Sequence, residues 1–308
     1  MSLVVIDPGI QCTVQAAPRV GFRQAGVPFS GPADPLSMAL ANRLVGKPAK
    51  AASLEITFGP AVFRFDAPVQ FAVVGAAAQL SLSGSACPMH TVIAAKSGDT
   101  LEISAAQTGA RLYLALSGQL QAADFLGSGS TYLPAALGGF EGRALRKGDR
   151  LTFTEAAPVA AFETLEPLRL PPTSSYALRA VRGPDFDGGE ALFASSVYRV
   201  TPRSSRMGAE IEGAFPQNAG GSLLPSSAVF PGALQVTPQG RGFLLLSDGQ
   251  TTGGYPHVLQ VIRADRHLLG QLRPGNSVRF LLKTQPEAEA ALRAKQALLS
   301  TWMPGFRL

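Results

Sequence analysis

One eight-residue pattern occurs three times: Lys96-Ser97-Gly98-Asp99-Thr100-Leu101-Glu102-Ile103, Arg146-Lys147-Gly148-Asp149-Arg150-Leu151-Thr152-Phe153 and Arg273-Pro274-Gly275-Asn276-Ser277-Val278-Arg279-Phe280. Each copy is a basic residue, a Gly-Asp or Gly-Asn turn and a strand of alternating apolar residues. The pair favours a tight turn because glycine takes positive φ and the Asx side chain bonds its own backbone. Alternation then gives each strand one face to bury. Two copies lie in the first half of the 308-residue chain and one in the second. Each half is therefore expected to be a curled sheet or barrel.

The length suits two domains, and 33 Gly with 24 Pro suits many short strands better than long helices. The first strands are expected at residues 3–6 and 10–15, and short β runs continue from about 60 to 160. Pro158, Pro167, Pro171 and Pro172 fall in an aperiodic stretch from Thr154 to Ser175. A linker there puts the boundary near 165–172, dividing the chain into an N-terminal domain, 1–168, and a C-terminal domain, 169–308. One helix is expected between Asp34 and Gly46, with Asp34 as N-cap, Pro35 opening it and Leu36, Leu40 and Leu44 as its buried stripe. Asn42 and Arg43 sit off the centre of that stripe. A last helix starts near Pro286 and packs through Ala288, Ala291, Leu292 and Leu298.

Several classes of function are set aside. No apolar run reaches the length of a membrane span, and the N-terminus lacks the basic start and apolar core of a signal peptide, so a soluble cytoplasmic protein is expected. Cys12 and Cys87 make no disulfide framework, and His90, His257 and His267 lack metal-ligand spacing. The net charge of +6 is scattered and aromatics are only 7%, which argues against nucleic acid and for small anionic substrates held by single arginines. No phosphate-binding or dinucleotide glycine motif and no nucleophile elbow are present. Gly220-Gly221-Ser222 hints at a serine amidase, but Leu223-Leu224 follow it. Any catalysis must use carboxylates, amides, hydroxyls and arginines.

Asp248-Gly249-Gln250-Thr251-Thr252-Gly253-Gly254-Tyr255-Pro256 collects those groups between two apolar β-like runs. It is longer than a simple turn needs and richer in chemistry. It reads either as a structured hairpin connection or as a binding loop on a strand end. Asp34 reads as a helix cap or as a catalytic carboxylate, and Glu55 shares a strand face with Ser53 and Thr57.

Taken together, Gly26-Val27-Pro28-Phe29-Ser30-Gly31-Pro32-Ala33-Asp34, Ala41-Asn42-Arg43-Leu44-Val45-Gly46 and Leu54-Glu55-Ile56-Thr57 resemble the first block of one family. Leu126-Gly127-Ser128-Gly129-Ser130-Thr131-Tyr132 and Leu137-Gly138-Gly139-Phe140-Glu141-Gly142-Arg143 resemble its middle. Arg206-Met207-Gly208, the 248–256 stretch and Gln271-Leu272-Arg273-Pro274-Gly275 resemble its last block. The chain is thereby similar to the biotin-dependent carboxyltransferase / allophanate hydrolase subunit 2 family, which includes KipA, the C-type subunit of 5-oxoprolinase and the carboxyltransferase region of urea carboxylase. Where that family has Gln-Asp-x-Gly-Arg, this chain reads Gln15-Ala16-Ala17-Pro18-Arg19.

The resemblance implies a mainly β protein of two cyclophilin-like β-barrel domains with a few short helices and a C-terminal helix. It implies a KipI-like B-type subunit and a LamB/YcsF-like A-type subunit as partners, a small-molecule amide substrate, and no nucleic acid or membrane. The implied activity is ATP-dependent hydrolysis of 5-oxo-L-proline to L-glutamate, with ATP used at the level of the complex and no biotin attached to this chain. Carboxyl transfer from carboxybiotin to a urea-like amide, or a non-enzymatic KipA-like role, are the alternatives. The implied site has Asp248 and Asp34 as catalytic carboxylates. Arg206, Gln250, Thr251, Thr252, Gly253, Gly254, Tyr255, Asn42, Glu55 and Gln271 would bind substrate, with no metal. The loop is expected to work with Arg206 and, across the domain junction, with Asp34, Asn42 and Glu55.

Overall fold

The computed structural model describes residues 1–160, 163–216 and 224–308, so Gly220-Gly221-Ser222 lies outside the described residues. Two compact units result, Met1–Arg19 with Ser30–Pro172 and Val20–Phe29 with Thr173–Leu308. The turn-rich segment 20–29, which the sequence leaves with the N-terminal half, thus belongs to the second unit. Its excursion is pinched at the base in the first unit. Arg19 Nη1 donates to Ser30 Oγ at 3.0 Å, and a Cβ on Gly31 would sit 3.2 Å from Pro18 Cα.

The first unit is built on two antiparallel sheets. One runs, in spatial order, Arg150–Thr152, Ser2–Asp7, Ala61–Phe65, Thr100–Ile103, Leu80–Leu82, Ser85–Cys87. The other runs Gln11–Gln15, Ser53–Thr57, Thr108–Leu116, Val69–Ala77, Ile93–Ala95. Alternate residues fill the core: Leu3, Val5, Phe63, Leu101 and Ile103 with Val14, Leu54, Ile56, Leu112 and Leu114. The even-numbered members of Ser53–Thr57 and Thr108–Leu116 thus face inward, and Glu55 and Tyr113, paired across those strands, face the other way. The helix Pro35–Leu44 packs on strands Thr108–Leu116 and Val69–Ala77. Asn42, expected off the buried stripe, is fully buried. Its Nδ2 donates to the Ala49 and Ala51 carbonyls, and its Oδ1 accepts from Ser53 Oγ, so burial leaves no polar atom unpaired.

The second unit contains a closed seven-stranded barrel in the order Ser175–Arg182, His257–Val261, Ala233–Val236, Gly242–Leu245, Gly208–Glu212, Tyr198–Ser204, Ser277–Leu282. Parallel pairing of the last strand with the first closes it. Leu178, Val200, Ile211, Leu234, Leu244, Val261 and Phe280 fill its core. The C-terminal helix Gln285–Trp302 starts with a reciprocal cap, Thr284 Oγ accepting from Glu287 N and Thr284 N donating to Glu287 Oε2. It packs on the 3-10 helix Arg263–Gln271 and on strand Ser175–Arg182. Near its end the buried side chain is Leu299, whereas Leu298 is 45% exposed, so the expected stripe shifts by one residue there. None of the described helices is long and apolar enough to cross a membrane.

The three repeated turns close alike. Asp99 N donates to Lys96 O at 3.2 Å while Lys96 N donates to Asp99 Oδ2 at 2.7 Å. The corresponding distances are 3.1 and 2.7 Å for Asp149 with Arg146, and 3.0 and 3.0 Å for Asn276 with Arg273. Gly98, Gly148 and Gly275 sit at φ 91°, 90° and 88°, as the third residue of a type II turn must. In each case the glycine N–H also donates to a neighbouring strand, at Phe65, Val5 and Val200. The turn is therefore a stitch between its own strand and the next.

The Pro-rich stretch is tethered to the first unit rather than free. Gln70 exchanges two hydrogen bonds with the Val159 backbone, and Thr164 N donates to His90 O at 2.9 Å. Burial, aided by the Arg169 charge, lowers the His90 pKa to about 4. The neutral ring is therefore the form the fold favours. Its contribution is present above pH 6.5, where the unfolded ring is also neutral, and is lost as pH falls towards 4. A stability loss of about 2 kcal/mol over that window is expected, solvent screening of the half-buried ring included. Urea midpoints of wild type and His90→Gln between pH 7 and 4 should converge as pH falls; parallel curves would refute this.

Candidate functional site

The 248–256 loop is not a hairpin. The strands before and after it, Gly242–Leu245 and His257–Val261, are both neighbours of Ala233–Val236, which lies between them. Both are antiparallel to it, so the connection must pass from the start of that middle strand, where Gly232 N donates to Leu245 O, to its end, where Val236 N donates to Pro256 O, and its length follows from the topology. The middle strand also supplies the loop's support. Gln235, 1% exposed, donates from Nε2 to Tyr255 O at 2.9 Å and accepts from Gln250 Nε2 at 3.0 Å. A Cβ on Gly253 would come within 2.5 Å of the Gln235 amide nitrogen, so glycine is what lets the loop lie against this side chain.

The start of the loop is clamped by charge. Arg206 Nε donates to Asp248 Oδ2 at 2.8 Å and Nη2 to Oδ1 at 3.2 Å, with both residues buried. Their backbones pair as well, Asp248 N donating to Arg206 O at 3.0 Å. Further along, Thr252–Gly253 forms a short antiparallel ribbon with Ser227–Ala228, extended by Val229 N to Thr251 O and Leu224 N to Gly254 O. Gln250, Thr252 and Tyr255 are left exposed, while Thr251, Gly253 and Gly254 are half-buried. The loop is a rigid frame that presents an amide, a hydroxyl and a phenol. Gln271, at the end of the 3-10 helix Arg263–Gln271, is fully buried, and its carbonyl accepts from Tyr176 Oη.

Asp34, Asn42 and Glu55 belong to the first unit, Arg206 and the loop to the second. Asp34 is an N-cap: its Oδ1 accepts from Leu36 N and Ser37 N, and its Oδ2 from Ser37 Oγ at 2.6 Å. Glu55 Oε2 accepts from Tyr113 Oη at 2.7 Å and from Ala33 N at 2.8 Å, while Oε1 lies 3.8 Å from Arg111 Nε. Tyr113 Oη in turn accepts from Asp34 N. Burial, the Glu55 charge and the Asp34 charge hold the Tyr113 phenol well above its ordinary pKa, so it stays a donor. These carboxylates organise the entry to a helix. Replacing Asp34 by Ala is expected to cost about 2 kcal/mol through the lost cap, read as a lower urea midpoint; a change under about 0.5 kcal/mol would contradict the capping role.

Sequence reasoning missed Gln235, Tyr113 and Arg111. The signal for Gln235 was present, a lone carboxamide in the apolar run Ala233-Leu234-Gln235-Val236. The arginine trio separates: Arg206 is buried on Asp248, Arg203 lies 3.8 Å from Glu210, and Arg199 donates to Gly275 O.

A family model described as the carboxyltransferase domain, subdomain A and B, matches residues 25–282. This chain belongs to that carboxyltransferase-domain family. Its relatives include the C-type subunit of 5-oxoprolinase from Escherichia coli, 33% identical over 96% of this chain and 94% of the relative. Urea amidolyase of Saccharomyces cerevisiae is 31% identical over 98% of this chain but only 18% of the relative. Among solved structures, the urea carboxylase of Kluyveromyces lactis superposes with a TM-score of 0.89 at 27% identity, covering 100% of this chain and 30% of that one. The mainly β architecture with its barrel and C-terminal helix is shared with that urea carboxylase over the whole of this chain. The family's relatives are parts of larger enzymes, so hydrolysis and carboxyl transfer both stand as readings.

Proposed function

We propose that this chain is the C-type subunit of an ATP-dependent 5-oxoprolinase, acting with further subunits on 5-oxo-L-proline to give L-glutamate. The observation that carries this reading is the 33% identity to the C-type 5-oxoprolinase subunit over 96% of this chain. A lactam is a resonance-stabilised amide, so opening it needs an activated carbonyl and a held orientation. The sequence has no phosphate-cradling glycine loop. The nucleotide step therefore belongs to the complex, and this chain's share is substrate positioning. Gln250, Thr252 and Tyr255 are the groups the loop presents, with Asp248 and Arg206 fixing the frame from beneath. Asp34, Asn42 and Glu55 act through the first unit's fold.

The test is ATP-dependent glutamate release by this chain purified with its KipI-like and LamB/YcsF-like partners. Turnover that falls at least about tenfold on Gln250→Ala with Thr252→Ala, with the complex still assembled, supports the reading. No release, beside a working 5-oxoprolinase control, refutes it. The carboxyltransferase description of the family and the fold shared with urea carboxylase favour a second reading, carboxyl transfer from carboxybiotin on another chain to a urea-like amide. Carboxybiotin consumption that depends on urea and on this chain would establish that reading instead.

A further inference from the structure

Arg23 lies in the excursion Val20–Phe29 and packs beside the ribbon that carries the loop. Its guanidinium carbon lies over two rings, 4.7 Å from the Phe29 centroid and 5.0 Å from that of Phe230. One nitrogen, Nη2, donates to the Val229 carbonyl and, at 3.4 Å, to the Thr251 carbonyl. Contact with two rings and anchoring at one corner hold the group in place. Its Nε and Nη1 donate to no described residue and are not buried. No carboxylate among the described residues neutralises it: burial lowers its pKa and nothing opposes that. Arg206, by contrast, has its charge met by Asp248.

A half-buried cation without a counter-ion is costly unless a ligand supplies the charge. Contact with aromatic faces offsets part of that cost and leaves the Nε and Nη1 donors, which lie on different edges of the group, each free for one hydrogen bond to an anion. A carboxylate oxygen accepts such a charge-assisted hydrogen bond, and these are the strong ones. We propose that Arg23 is the carboxylate-binding residue of this chain, holding the carboxylate of a small lactam or amide acid against the 248–256 loop. The proposal rests on the 5-oxoprolinase reading for the substrate's identity. It separates two substrate classes by chemistry: 5-oxo-L-proline carries a carboxylate beside its lactam, whereas urea carries none.

The experiment titrates the full chain with 5-oxo-L-proline and with its neutral carboxamide, following binding by ligand-observed NMR. Wild type is expected to prefer the acid at least about tenfold. Arg23→Gln should remove that preference by weakening the acid about tenfold and leaving the carboxamide unchanged, and Arg23→Lys should restore part of it. Unchanged thermal midpoints in both variants show that the fold is intact. If the variants do not fold, Phe230→Leu, which removes one stacking face and keeps the charge, is expected to weaken the acid selectively. An acid-to-amide ratio that Arg23→Gln leaves untouched overturns the proposal, and so does a wild-type chain that binds neither compound. Loss of the Arg23 effect with glutamate release intact sinks the carboxylate site alone. An Arg23-dependent acid preference in a complex that releases no glutamate sinks the oxoprolinase reading alone.

Discussion

Asp248→Ala is expected to destabilise the second unit by about 3–5 kcal/mol, because it leaves the Arg206 guanidinium buried without its counter-charge. Arg206 is 4% and Asp248 1% exposed, so water cannot replace the lost carboxylate without local opening. The backbone pairs on either side, Asp248 N to Arg206 O and Leu246 N to Met207 O, both 3.0 Å, hold the guanidinium in place and prevent easy escape. Arg206→Met should cost a similar amount by stranding the carboxylate. The double variant Arg206→Met with Asp248→Leu should recover much of the loss, since an apolar pair carries no desolvation penalty. The chain has a single tryptophan, Trp302, at the end of the second unit's helix, and its fluorescence in a urea titration reports this unit. Single variants costing under about 1 kcal/mol, or a double variant equal to their sum, would show that the pair is not a buried ion clamp.

The loop's rigidity was only partly legible in the sequence. Its length and polar content distinguish it from a turn, but whether it is a hairpin depends on which strands pair. That depends on Ala233–Val236 lying between its two flanking strands, a non-local fact that no window of residues contains. Local signals fared well where the chemistry was local. Asp34, Pro35 and Gly46 bracket the helix Pro35–Leu44, and the Gly-Asx pairs mark turns that all close with the same bonds. They failed where burial overrides polarity. Asn42 is expected off the buried stripe, yet it is buried because the Ala49 and Ala51 carbonyls of the following turn satisfy its amide, and Glu55 is buried because the Ala33 N–H and the Tyr113 hydroxyl, from distant segments, satisfy it. Segment 20–29 failed for a different reason. It has no periodicity to read, and its ties to the second unit include Arg23, which lies over the Phe230 ring and donates to the Val229 and Thr251 carbonyls.

Glu55→Ala is expected to destabilise the first unit by about 3–5 kcal/mol, and the size follows from what the carboxylate joins. Glu55 is 1% exposed and receives a hydroxyl from strand Thr108–Leu116 and an N–H from the residue before the helix cap, while facing a buried arginine. Truncation strands the Ala33 N–H and the Tyr113 hydroxyl and removes the negative charge opposite Arg111. Glu55→Gln keeps an acceptor but loses the charge, so an intermediate loss of about 2 kcal/mol is expected. Tyr113→Phe leaves the charge pair and removes only the hydroxyl bridge between Glu55 and Asp34 N, which should cost about 1–3 kcal/mol. Because Glu55 and Tyr113 share one hydrogen bond, the double variant should cost less than the sum. Amide hydrogen exchange in Ser53–Thr57 and Thr108–Leu116 is the readout that locates the effect, with protection falling most in Glu55→Ala. If Glu55 instead served a bound substrate and nothing else, Glu55→Ala would leave exchange in both strands unchanged while abolishing turnover of the assembled enzyme.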